Sequence, residues 1–218
     1  MAEKYFPQIV LVPDCNRPSA STDIITHVIH ECLRVSYELE IDGKKYFAAD
    51  FEEKPDLSGK PRPDVIMLDR TKHEDEAAAR AELILSANFG GRVFAQADDL
   101  IRKEHMPRGV KYYTYSISDP DVNFYAQKIR EKEDGSGYTF EVVYQANPDG
   151  KGGLKALLFP TYNNALICRT DINSPDRKDI IHAVKAFAIG TALSIEPKYI
   201  TKAISSYDFL SNSKEREE

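Results

Sequence analysis

The sequence predicts an α/β fold: a mostly parallel central sheet flanked by helices, with a small antiparallel β extension. Three observations carry this. Phe6 to Pro13, a short run broken only by Gln8, and Val65 to Leu68 are apolar and contain β-branched residues, as strands buried on both faces do. Stretches with helical periodicity alternate with such runs, the pattern of a parallel sheet with crossover helices. After Val122 the chain turns to short strands separated by turns such as Asp134-Gly135-Ser136-Gly137.

The elements follow in order. Phe6 to Pro13 is the first strand, and Asp14 to Ser19 a polar loop. A helix starts near Ser21, with Ile25, Val28, Ile29, Cys32 and Leu33 on one face. Tyr37 to Phe51 reads as a hairpin around Asp42-Gly43, and Glu52 to Pro63 as a linker loop. Val65 to Leu68 is a buried strand, and His73 to Ala87 a strong helix former rich in Ala, Glu and Leu. Arg92 to Ala95 is a strand, after which Asp98 and Asp99 open a short helix whose dipole suits their charge. Val110 to Ser116 is a strand. Segments near 122–130, 138–146, 154–159 and 164–172 read as strands of antiparallel hairpins. Asp176 to Ser194 is a helix with an apolar stripe of Ile180, Ile181, Val184, Phe187, Ala188 and Leu193. A last helix starts near Glu196 with Pro197 in its first turn. Residues 1–210 thus form one domain, the antiparallel part at about 122–172, followed by a charged tail at 211–218.

Bulk properties narrow the function. The chain has 218 residues, 42% of them hydrophobic, which suffices for a substantial core. A net charge of -6 argues against a general electrostatic grip on nucleic acid or an anionic membrane. No apolar run approaches a membrane span, and the N-terminus does not start a signal peptide. Three widely spaced cysteines, Cys15, Cys32 and Cys168, fit neither a disulfide framework nor a zinc site. They point to a reducing compartment, and the expected location is cytoplasmic.

Sheets of this kind bind ligands at the carboxyl ends of their strands. The candidate positions are the loop after Pro13 and the strand end before Asp98. Ser19, Ser21 and Thr22 read first as caps of an ordinary strand-to-helix loop and second as phosphate contacts. Asp98 and Asp99 serve as dipole partners or as nucleotide or metal contacts. His73-Glu74-Asp75 reads as a solvated helix start, because adjacent helical residues point different ways. His27 and His30 lie three apart, one surface-facing pair with no third ligand. Cys15 lies near Arg17 but has no assignable histidine partner. Tyr112, Tyr113 and Tyr115 read as packing in an aromatic strand.

Several segments, taken in order, resemble the central ATPase domain of the Mur ligases. GGRVFAQADDLIRKE (Gly90–Glu104) is similar to a strand and N-A-D-D turn late in that domain. YYTYSISDPDVNFYAQKI (Tyr112–Ile129) resembles the next strand and its P-D-A-D segment, and GSGYTFEVVY the strand after that. SPDRKDIIHAVKAFAIGTALSI (Ser174–Ile195) is similar to the segment that opens the helix near the adenine, and EPKYITKAI to the final helix. The best match spans residues 90–207. The resemblance implies a P-loop-like fold and a relation to enzymes that join amino acids to a carboxylate using ATP.

The first half departs from that template. Where the family has V-T-G-T-N-G-K-T-T-T, this chain has VPDCNRPSAST (Val12–Thr22). Asn16 aligns, and Ser19, Ser21 and Thr22 echo the hydroxyls. The glycines that let backbone N–H groups converge on phosphate become Asp14 and Arg17, and the lysine becomes Pro18. Arg80 stands where the family carries a carbamylated lysine, a modification arginine does not undergo in that way. Arg177 is kept, while Asp179 and His182 replace two asparagines. The resemblance implies a nucleotide site at Asn16, Arg17, Ser19, Ser21, Asp98, Arg177 and Asp179, and the departures imply that it is degenerate. No catalytic residue, metal site or cofactor is expected, and the protein acts by binding, as a homo-oligomer or as partner to a complete ligase. The alternative is an ATP- and magnesium-dependent carboxylate–amine ligase subunit completed by another chain.

Overall fold

A computed structural model describes residues 9–12, 18–33, 46–48, 62–69, 74–146 and 165–209. Its strands are β1 (Ile9–Val12), β2 (Tyr46–Ala48), β3 (Val65–Leu68), β4 (Arg92–Gln96), β5 (Lys111–Tyr115), β6 (Phe124–Glu131), β7 (Tyr138–Tyr144) and β8 (Leu166–Ile172). Its helices are α1 (Pro18–Leu33), α2 (Glu74–Leu85), α3 (Ile180–Ala192) and α4 (Pro197–Ser206). The chain divides into two compact units. The first comprises Met1–Thr22 and Arg34–Tyr113, the second Asp23–Leu33 and Thr114–Glu218.

In the first unit β1 is flanked by β2 and β3, and β4 follows β3. All three pairings are parallel, with Ile9 opposite Tyr46 and Val65, and Val65 opposite Arg92. All four residues of β3 are buried, the signature of a strand covered on both faces. Ile66, Leu68, Val93 and Ala95 of these strands share a core with Leu83 and Ile84 of α2. In the second unit the end of β5 pairs in parallel with β6 through Tyr115 and Phe124. β6, β7 and β8 are antiparallel neighbours, as their alternating pattern requires.

Four local expectations need correction or restriction. Tyr46–Ala48, assigned to a hairpin arm, pairs in parallel with β1; the other arm, Tyr37 to Ile41, lies outside the described residues. The strand expected at 154–159 also lies outside them. α1 starts at Pro18, whose fixed φ suits a first helical position, so Ser19, Ser21 and Thr22 lie inside the helix and not at the residue that precedes it. No α-helix opens at Asp98-Asp99; the regular structure that follows is a 3-10 turn at Lys103–His105.

α3 is buried nearly all round, from His182 to Gly190, and packs on β6, β7 and α4. Its approach to α4 is close at Gly190, where a Cβ would lie 2.7 Å from Ile200 Cδ1. α4 in turn covers β8, with Thr170 Oγ1 donating to the Thr201 carbonyl at 3.1 Å.

The α1–α4 contact carries a pH dependence. His27 Nε2 lies 3.1 Å from Ser206 Oγ, and its ring meets Tyr207 edge-on at 5.4 Å. Burial holds its pKa below the ordinary 6.5, with Glu31 opposing. The unfolded chain therefore takes up more protons as pH falls through 6.5. The stability His27 permits is fully present above that value and is lost as pH falls toward the folded pKa. In urea melts, His27→Gln is expected to flatten the loss of stability between about pH 7 and about pH 5 relative to the parent. Equal slopes in the two proteins would remove His27 as the source.

Candidate functional site

Because β1, β3 and β4 are parallel, their carboxyl ends at Val12, Leu68 and Gln96 lie along one edge of the first unit's sheet. This is the edge where open α/β sheets bind ligands. The chain places the start of α1 after β1, Asp69 directly after β3, and Ala97 to Asp99 after β4.

Arg80 reaches this edge from α2. It follows Ala77 by three residues and precedes Leu83 and Ile84 by three and four, so helical periodicity puts it on the core-facing side. Its side chain is buried, and its Nη1 donates to the Asp69 carbonyl oxygen. The same nitrogen lies 3.9 Å from Oδ2 of Asp99, whose side chain is 0% exposed. Asp99 Oδ1 accepts from the Ile101 N–H at 2.8 Å, and Tyr112 Oη donates to the Ile101 carbonyl at 2.8 Å. Burial, aided by the charge of Asp99, pushes the Tyr112 hydroxyl up to about 12, so it remains a donor at physiological pH. Asp99 is thus turned inward to Arg80 and to the backbone N–H two residues on.

The chemistry of this cluster is limited. A guanidinium is permanently charged, donates only, and neither accepts a proton nor ligates a metal. Among the described residues no group of three or more His, Cys, Asp or Glu side chains is placed to hold a metal ion. Burial raises the thiol pKa of Cys32 and of Cys168, which lowers their reactivity.

The sequence-derived site residues are distributed as follows. Asn16 and Arg17 lie outside the described residues. Ser19 is in the first turn of α1 and Ser21 follows it, buried at 4% exposure. Asp98 is exposed, unlike its neighbour Asp99. These three belong to the first unit, whereas Arg177 and Asp179 belong to the second. Arg177 is exposed on a 3-10 turn, Arg177–Asp179, that leads into α3. Asp179 accepts from Ser174 Oγ at 2.5 Å and lies 3.8 Å from His182 Nε2. Asp69 is an addition to the sequence-derived residues, and so is the pairing of Arg80 with Asp99, which the sequence names separately. Their signals were an acid directly after an all-apolar strand and an arginine on the apolar face of an alanine-rich helix.

No family model matches the sequence. No curated protein matches it either. Solved structures do match in fold. MurF from Acinetobacter baumannii superposes with a TM-score of 0.61 at 10% identity, covering 92% of this chain and 46% of that one. A murein peptide ligase from Psychrobacter arcticus gives 0.59 at 13% identity, covering 93% and 47%. UDP-N-acetylmuramate-alanine ligase MurC from Thermotoga maritima gives 0.59 at 10%, covering 94% and 45%. The protein is therefore an α/β domain with the Mur ligase fold, and it spans about half the length of these ligases. No helix among the described residues is long and apolar enough to cross a membrane.

Proposed function

We propose that this protein is a Mur-ligase-like domain with a disabled nucleotide site, which acts by binding or as a scaffold instead of by catalysis. The observation that carries this reading is the Arg80 cluster. At a strand edge suited to ligands, the buried acid Asp99 already faces an internal cation, and that cation occupies the position where the resemblance expects a carbamylated lysine. A second feature supports it. The five residues between β1 and α1 are Pro-Asp-Cys-Asn-Arg, without glycine or lysine, and α1 opens on a proline that has no N–H to offer. These residues do not fit magnesium nucleotide. In this reading the protein works in the cytoplasm, as a homo-oligomer or beside a complete ligase.

The rival reading, a subunit of an ATP-dependent carboxylate–amine ligase completed by another chain, is favoured by the exposed Arg177 and by the coverage of about half of each ligase. Thermal melts distinguish the two. A ligand at one hundred times its Kd stabilises the folded state by about 2.7 kcal/mol. Millimolar Mg-ATP is expected to leave the melting temperature unchanged. A rise that disappears in Arg177→Ala would support the ligase reading instead.

A further inference from the structure

We propose that Phe89 anchors a docking surface for an acidic protein partner, one that presents an apolar pocket bordered by carboxylates. Phe89 lies in the turn after α2 and is 87% exposed, the most exposed of the large apolar side chains described. Its ring is nevertheless seated. It lies so close to Gly109, at φ +88, that a Cβ there would fall 2.3 Å from a ring carbon. The turn itself is fastened on three sides. Gly90 N–H donates to the Gly109 carbonyl at 3.0 Å, Asn88 N–H to the Pro63 carbonyl at 2.9 Å, and Lys111 N–H to the Gly91 carbonyl at 2.9 Å. Asn88 Nδ2 adds bonds to the Arg62 carbonyl and to Asp64 Oδ1. An aromatic ring held in place in the free protein has already lost the freedom that binding would otherwise remove, and such rings dominate interface energetics. Leu85, 65% exposed at the end of α2, adds apolar surface four residues away.

Charge selects the partner. The segments bonded to this turn carry exposed Arg62, Arg108 and Lys111. Their one carboxylate, Asp64, is engaged by Asn88. A second copy docked face to face would set these cations against their own equivalents, whereas an acidic surface complements them. Exposed Arg62, Arg108 and Lys111 outnumber the one exposed acid of the adjoining helix end, Glu82, although the chain as a whole carries -6. The inference stands whether or not the strand-end edge binds nucleotide, so a failed nucleotide titration and a failed docking test are separate results.

The test uses the full chain and a displayed library of random peptides. Selection on the parent protein, with counter-selection on Phe89→Ala, is expected to enrich peptides in which acids flank apolar residues. A synthetic member is expected to bind about tenfold or more weakly to Phe89→Ala, and to weaken with Arg108→Glu and with added salt. Because Phe89 is exposed, the alanine variant is expected to keep the parent's circular dichroism and melting temperature. Absence of enrichment, enrichment without acids, or binding indifferent to Phe89 would overturn the proposal. So would sedimentation showing a dimer that Phe89→Ala dissolves, since the occupant would then be a second copy.

Discussion

Arg80→Ala is expected to destabilise the protein by about 3–5 kcal/mol, read as a fall in the urea midpoint. The substitution removes a buried guanidinium, and with it the cation 3.9 Å from the fully buried Asp99. It also takes a donor from the Asp69 carbonyl. Most of the cost comes from a buried carboxylate that has lost its nearby cation and not from the lost attraction, because a buried pair gains little over apolar residues of the same volume. A cycle separates the two. Arg80→Met with Asp99→Asn keeps an oxygen for the Ile101 N–H while removing both charges. The double variant is expected to recover at least about 1 kcal/mol of the loss shown by Arg80→Met alone. Strict additivity in the cycle would mean that the two residues do not act as a pair.

Phe187→Ala is expected to cost a similar amount, about 3–5 kcal/mol, through lost burial and the cavity left behind. Phe187 has no exposed surface and sits in α3, which β6, β7 and α4 enclose. Ile167→Ala is the matched control. Ile167 lies on β8 with half its surface in solvent, and its truncation is expected to change stability by no more than about 0.5 kcal/mol. Comparable losses at the two positions would contradict the placement of α3 as the buried centre of the second unit.

The strands and helices were legible because their signals are local. The all-apolar runs at Ile9–Val12 and Val65–Leu68 and the alternation in β6 to β8 each carry their own period. What failed depended on distant partners. Tyr46–Ala48 has hairpin-like composition, but its parallel pairing with β1 is set by a strand far away in sequence. The apolar stripe of α3 shows in the sequence, but not that His182 and Lys185 beside it are buried as well, with Lys185 Nζ 5.6 Å from the centre of the Tyr115 ring. The Asp98-Asp99 pair looked like a helix start, and only the arrival of Arg80 from α2 shows why Asp99 turns inward. The resemblance marked Arg80 as a substituted position, but not that it pairs with Asp99. The candidate site was thus half readable: the loop chemistry after β1 is written in sequence, while the internal ion pair is a tertiary fact.

In the proposed reading the strand-end edge, with an internal arginine and a junction lacking glycine and lysine, does not hold magnesium nucleotide. Calorimetric titration of the full chain with Mg-ATP tests it directly. No heat of binding up to millimolar nucleotide is the expected result. Micromolar binding that is abolished by Arg177→Ala would contradict it.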